Sequence, residues 1–357
     1  MNSKERILAT LERKSIDRLP VDIWHTPEVV ESLQKHFCVN DEFSLWKAMG
    51  VDKIAWVFME YSADDGVDAG SQVGGGAGGV RTMWGVPLKA VEAGNAHYDE
   101  YSEAPMKGMS DPEEVKDYPW WPDPDRFKYD AAVELAQKYS RDFAVIGPWI
   151  SFFELYCQLR GIQQALMDVA LMPKFVDAVL DRLEEIQTEM MTRFLEKAGD
   201  AVDLVFISDD MGMQENLLIS PAMWKRFLEP RMKRWCALIH SFGKKVFYHS
   251  DGACEPLLQP LIDCGIDVLN PIQHVCPGMD PKSLKEKYGD RIIFHGGVDN
   301  QNVLPFGSVD DVIKQVNMLA NTLGSGKEGY ICASCHNIQA GTPIENIFAM
   351  VDAIKNM

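Results

Sequence analysis

The sequence predicts an α/β protein, a (β/α)8 TIM barrel with an insertion after the second strand, on three observations. β-rich runs recur eight times, each followed by a polar loop and a stretch of helical periodicity. No dinucleotide-binding glycine fingerprint follows the first run, which disfavours an open sheet with a nucleotide crevice. Polar and potentially ligating side chains collect at one end of the runs, the end where such a barrel keeps its active site.

The runs, in order, are RLPVDIW (18–24), KIAWVFME (53–60), FAVIGPW (143–149), DLVFIS (203–208), KVFYHS (245–250), DVLNPI (267–272), RIIFHGG (291–297) and GYICAS (329–334). Helical periodicity covers 172–199, 220–243 and 308–324, with Ser220-Pro221 and Ser308 as N-terminal caps and Gly243 and Gly324 as C-terminal stops. Residues 61–141 interrupt the alternation and are read as the insertion, within a single domain spanning 1–357. Its glycine run QVGGGAGGV (72–80) has no following lysine or helix start, so a hairpin loop is expected rather than a phosphate cradle. Trp120 and Trp121 are expected to cover core.

A chain of 357 residues with 46% hydrophobic content can bury a large core. A net charge of −18 and a pI near 4.9 disfavour nucleic acid or an anionic membrane as partner, since both call for clustered Lys and Arg. The opening MNSKERILATLERK lacks the apolar stretch of a signal peptide, and no run approaches the roughly 18 apolar residues of a membrane span. A cytoplasmic location is expected, with the eight cysteines reduced and Cys38, Cys157, Cys236, Cys254, Cys264 and Cys276 acting as apolar filler.

The sharpest constellation at the strand ends is His249, Asp251 and Cys335. A His and an acid two residues apart on a strand point the same way and can meet a Cys from a neighbouring strand. Imidazole, carboxylate and thiolate together suit Zn2+, and three protein ligands leave an open catalytic position. Each has a plain structural alternative: a packed imidazole, a helix-capping acid, a buried thiol. Glu215, in the loop after the fourth run, could add an oxygen ligand from above. Cys332 and Cys335 are spaced like a redox pair, but no second pair exists and the segment is extended. Glu154, alone among apolar neighbours, reads either as a buried functional acid or as the partner of Arg160. Asp209 and Asp210 are candidates for proton transfer or for holding loop amides, and Trp149, Phe153 and Tyr156 for an apolar substrate wall. His25, His274, His295 and His336 read as packed or loop-bonding imidazoles.

At these residues the chain resembles the uroporphyrinogen decarboxylase superfamily over nearly its whole length, in 5–22, 209–233, 245–273, 292–307 and 329–347. The family fold is the (β/α)8 barrel with its site at the strand C-termini. The decarboxylases' Arg-x-x-Arg-x-Ala-Gly-Arg clamp is missing; after Pro20 the chain reads VDIWHTPEVVE, and Cys335 stands where they have histidine. The zinc methyltransferase branch is similar to coenzyme M methyltransferases and binds metal through His-x-Cys and a later Cys. The matching positions here are His249, Asp251 and Cys335, with Asp251 a departure. Gln273 stands where the related methionine synthase barrel has a Glu ligand, and is expected to contact substrate. The resemblance implies transfer of a methyl group from a small-molecule donor, an aromatic methyl ether of an O-demethylase system, to the cobalt of a corrinoid. Nothing resembles the corrinoid-binding Asp-x-His-x-x-Gly motif, so the cobalamin is expected on a separate partner protein. Transfer from corrinoid to a thiol, a decarboxylase-like lyase activity, and a non-catalytic binding barrel are the alternatives.

Overall fold

The computed structural model describes residues 1–62, 68–71, 81–93 and 96–357; the glycine run at 72–80 lies outside them. Seven strands form one all-parallel sheet in chain order: β1 (Ile54–Trp56), β2 (Ala144–Ile150), β3 (Leu204–Ser208), β4 (Lys245–His249), β5 (Val268–Asn270), β6 (Ile293–His295) and β7 (Tyr330–Ile331). Their side chains are buried almost without exception, as expected of parallel strands covered by helices outside and by one another within.

The first predicted strand appears as bridges, not as a regular ladder. Val21 pairs in parallel with Cys332, and Asp22 N–H donates to the Cys332 carbonyl at 2.8 Å. On the other side, Asp52 N–H donates to the Val21 carbonyl at 2.7 Å. The chain at 20–22 thus lies between β7 and the approach to β1, curling the sheet toward a TIM-like barrel. Local chemistry explains the broken ladder: Pro20 has no N–H to give, and the Asp22 carboxylate itself takes the N–H of Ile23 at 2.7 Å and of Ile54 at 3.3 Å.

The long helix Pro173–Ala198 packs its apolar stripe on the sheet, and Ser220 and Ser308 cap helices as predicted. The predicted helix over 220–243 is instead two, Pro221–Phe227 and Glu229–Ser241. Pro230, in the first turn of the second, supplies no N–H to the first, so the break falls at Leu228.

Between β1 and β2 the described residues include a hairpin (Leu88–Ala93 with Ala96–Tyr101) and the helix Tyr129–Tyr139. Arg160 fastens this region to the barrel. Its guanidinium donates to the carbonyls of Met106 and Met109 while pairing with the buried Asp168 at 2.7 Å. In β2, Gly147 is required by close approach: a Cβ there would sit 2.4 Å from the Val57 carbonyl oxygen.

Candidate active site

Strand register builds the site. Ser208 lies opposite His249 and His249 opposite Asn270, so the ends of β3, β4 and β5 present three polar side chains at one level. The His249 ring lies over Trp24 (6.0 Å between centroids, 26°) and against Phe206 at 5.6 Å. Its Nδ1 meets Asn270 Oδ1 at 2.6 Å, and its Nε2 is 3.6 Å from Asp210 Oδ1. Burial opposes charge on this imidazole, but the carboxylates of Asp210 and Asp251 outweigh it and raise its pKa.

Asp210 and Asp251 sit on loops after β3 and β4 that touch backbone to backbone. Asp251 N–H donates to Asp210 Oδ1 at 2.9 Å, and Ala253 N–H to the Met213 carbonyl at 2.8 Å. Gly252 permits the contact: its φ is +79°, and a Cβ would lie 2.5 Å from both Gly212 C and Met213 O. Gly252→Ala is expected to cost about 1–3 kcal/mol from the backbone conformation alone, with further loss as the loops part. Thermal unfolding reads this directly, and an unchanged Tm would show that the loops separate freely.

Asp209 is fully buried and anchors the next element. It accepts from Ser151 Oγ at 3.0 Å and from the N–H groups of Phe152, Phe153 and Glu154 at 3.1, 2.7 and 3.0 Å. These are the unpaired amides at the start of the helix Phe153–Arg160, so Asp209 caps it and fixes where Glu154 stands. Burial pushes the Asp209 carboxyl up to about 6, against those hydrogen bonds.

Glu154 accepts from Ser208 Oγ at 2.8 Å and is not paired with Arg160, which belongs to Asp168. Burial, then the charge of Asp210, pushes its carboxyl up to about 7. Its carboxyl therefore titrates near neutral pH, in the field of His249.

The aromatic residues expected to form a wall are placed differently. Phe153 and Tyr156 are wholly buried and stack at 5.9 Å, and the Tyr156 hydroxyl donates to Asp168 at 2.6 Å. Trp149 is 5% exposed within β2. Gln273 accepts the Gly252 N–H at 2.8 Å and so braces the Asp251 loop. The rings against His249 are Trp24, Phe206 and His336; Trp56 packs on Trp24 and Phe206 and stacks with Phe58 at 5.3 Å, both partly open to solvent. The alternation in KIAWVFME, which puts Trp56 and Phe58 on one face, was the available signal.

Among the described residues, one His/Asp group can hold a metal: donor atoms of His249, Asp251 and His336 all lie within 4.8 Å of one another. Sequence reasoning passed over His336. The chain leaves β7 at Ile331 and bends at Cys335–His336, so strand alternation no longer governs which way these side chains face. The Cys335 thiol, next to His336, donates to the Ile272 carbonyl at 3.5 Å; burial and the charge of Asp251 raise its pKa. Glu215 is exposed in a groove with Asn216, Pro221 and Glu255, outside this group. The two imidazoles differ in readiness. His336 Nδ1 accepts the Asn337 N–H at 2.8 Å, which leaves the ring hydrogen on Nε2, whereas His249 turns Nδ1 to an acceptor.

The donor chemistry fits zinc: imidazole and carboxylate are among its usual ligand types, while the Cys335 thiol, expected from the sequence as a ligand, lies outside the group of His249, Asp251 and His336. The crowding of Glu154, Asp210 and Asp251, each raising a neighbour's pKa, is the electrostatic strain that a bound cation relieves.

Residues 84–357 match the sequence profile of the family described as uroporphyrinogen decarboxylase (URO-D). A methylcobamide:CoM methyltransferase MtaA of Methanosarcina barkeri is 25% identical over 170 residues, 47% of this chain and 46% of that protein. A uroporphyrinogen decarboxylase of Thermus thermophilus is 28% identical over 183 residues, 51% of this chain and 50% of that protein. The chain thus spans about half the length of the curated relatives it matches. Among solved structures, a methyltransferase from Methanosarcina mazei has a similar fold, with a TM-score of 0.65 and 18% identity over 100% of this chain and 99% of that one. No described helix is long and apolar enough to cross a membrane.

Proposed function

The chain belongs to the uroporphyrinogen decarboxylase family, and from that premise we propose that it moves a methyl group from an aryl methyl ether to the cobalt of a corrinoid carried by a separate protein. The observation that carries this reading is the carboxylate-containing group of His249, Asp251 and His336, with the rings of Trp24 and Phe206 against His249 and the buried Glu154 carboxyl, raised to about 7, in its field.

In this reading His249 Nε2, the Asp251 carboxylate and the Cys335 thiolate hold zinc, which supplies Lewis acidity toward the ether oxygen. A metal-bound thiol is deprotonated outright, so the raised pKa of free Cys335 does not oppose its role. His336, with its hydrogen on Nε2, serves as a donor to oxygen in the same pocket. Trp56 and Phe58 pack the aryl ring and keep water from the reacting carbon. As the methyl group leaves, the oxygen keeps the electron pair of the broken C–O bond and takes the proton of Glu154, giving a phenol and a carboxylate. Ser208 Oγ–H steadies that carboxylate. The barrel works as one domain over the whole chain, in the cytoplasm, where its eight unpaired thiols stay reduced.

Two measurements test the reading. Cobalt(II) in place of zinc is expected to show a thiolate charge-transfer band that Cys335→Ser abolishes and His336→Ala retains; no band in the wild-type protein removes Cys335 from the ligand set. Purified protein with a reduced corrinoid protein is expected to convert an aryl methyl ether to its phenol, and to do nothing without that partner. The name of the Methanosarcina barkeri relative favours a second reading, transfer from methylcobamide to a thiol. Methylation of a thiol with no phenol formed from any ether would establish it, and turnover of uroporphyrinogen would overturn both.

A further inference from the structure

Behind His249 runs a line of buried polar groups that the proposed chemistry does not use. His249 Nδ1 meets Asn270 Oδ1 at 2.6 Å, Asn270 Nδ2 donates to His295 Nδ1 at 2.8 Å, and His295 Nε2 meets Asp22 Oδ2 at 3.1 Å. Lys53 Nζ closes the line, 3.2 Å from Asp22 Oδ1 and 2.6 Å from the Ile23 carbonyl. Asp22, Asn270 and His295 are 0% exposed, so no water competes for these contacts. Five barrel segments contribute: the chain at Asp22, the approach to β1 at Lys53, and the ends of β4, β5 and β6.

The order of donors along this line is forced from its far end. Burial opposes charge on Asp22, but Lys53 and His295 outweigh it and hold its pKa down, so it only accepts. His295 Nε2 must then carry the hydrogen. Burial also keeps the His295 ring neutral, against the pull of Asp22, which leaves Nδ1 with a lone pair alone. Such a nitrogen demands a donor, and Asn270 meets it with its NH2 group. The amide oxygen of Asn270 therefore faces His249, and an amide oxygen can only accept. His249 must keep a hydrogen on Nδ1, so that in the neutral ring the bare nitrogen is Nε2, which faces Asp210.

We propose that the buried Asp22–Lys53 pair, acting through His295 and Asn270, sets the tautomer and aim of His249, making Asn270 and His295 positioning residues for the metal ligand. This rests on the reading of His249 as a ligand. The ion pair does not touch the site; it is the one fixed polarity in the line, and two amphoteric side chains carry that polarity across the barrel. A line of this kind is costly to bury unless every member is satisfied, and here each contact satisfies the next.

The test uses metal-free full-length protein labelled with 15N in histidine, at a pH where His249 is neutral, together with zinc affinity by chelator competition. Wild-type His249 is expected to carry its hydrogen on Nδ1. Asn270→Leu is expected to lose that preference and to bind zinc about 10- to 100-fold more weakly. Asn270→Asp keeps an acceptor oxygen toward His249 but offers His295 Nδ1 no N–H, so His249 should keep its Nδ1 hydrogen while the His295 ring takes up a second proton. A wild-type ring protonated on Nε2 overturns the proposal whether or not the leucine variant folds. So does an Asn270→Leu protein that binds zinc as tightly as wild type, or an Asn270→Asp protein in which His249 carries its hydrogen on Nε2. A wild-type ring with hydrogen on Nδ1 in a protein that takes up no zinc would uphold the positioning line and sink the metal reading.

Discussion

Replacing His249 with alanine is expected to leave a folded protein that has lost its zinc and nearly all methyl transfer. About one zinc per chain is expected in the wild type, and a small fraction of that in the variant, because a site of three protein ligands rarely survives the loss of one. Lewis-acid stabilisation is worth several kcal/mol, so the rate should fall on the order of a thousand-fold. The barrel itself should persist. His249 ends β4, and its strand pairing with Ser208 and Asn270 runs through the backbone. The cost is a cavity beside Trp24 and Phe206. Metal analysis and circular dichroism on the same preparation separate the two effects, and full zinc occupancy in the alanine variant would remove His249 from the site.

Glu154→Gln should act in opposite directions on activity and stability. If Glu154 delivers the proton to the departing oxygen, the variant should lose about 10²- to 10⁴-fold in rate. The alkaline fall in wild-type activity, expected as pH rises through the pKa of Glu154, which is about 7 without metal and lower beside a bound cation, should disappear with it. Stability follows from the same shift. The folded carboxyl titrates near 7 against an ordinary value of 4.5, so the folded state holds a proton that the unfolded chain has released between those values. Stability therefore falls as pH rises through that window and is lowest above it. A neutral glutamine avoids the penalty, so the variant should be the more stable protein above pH 7, by at most about 3 kcal/mol since part of the side chain meets solvent. Denaturant unfolding at pH 5 and pH 8 checks the sign. Equal stability of the two proteins at both values, with an unchanged rate, would make Glu154 a bystander.

Much of this protein was legible in one dimension. Parallel strands buried on both faces leave continuous apolar runs, and each run from 53–60 onward contains a strand of the sheet. Strand ends carry the polar groups of a barrel site, so His249, Asp251 and Asp210 could be named before any coordinates. The caps at Ser220 and Ser308 were equally plain, because a cap is set by residues three positions away.

The tertiary structure decided what depends on partners distant in sequence. Asp209 and Glu154 are both acids near strand ends, yet four hydrogen bonds turn the first into an anchor. Burial beside Asp210 makes the second a proton carrier. Phe153 and Tyr156 looked like substrate contacts and are core, while Trp24 and Phe206, from other segments of the barrel, lie against His249. His336 enters the metal group only because the chain bends after β7, where the two-residue period stops applying. Periodicity and capping are local and survive in the sequence, whereas the protonation state of a carboxyl, and the choice of which ring nitrogen is bare, are set by the field of groups that folding brings together. Residue 22 shapes residue 249 across the barrel, a dependence that no spacing along the chain encodes.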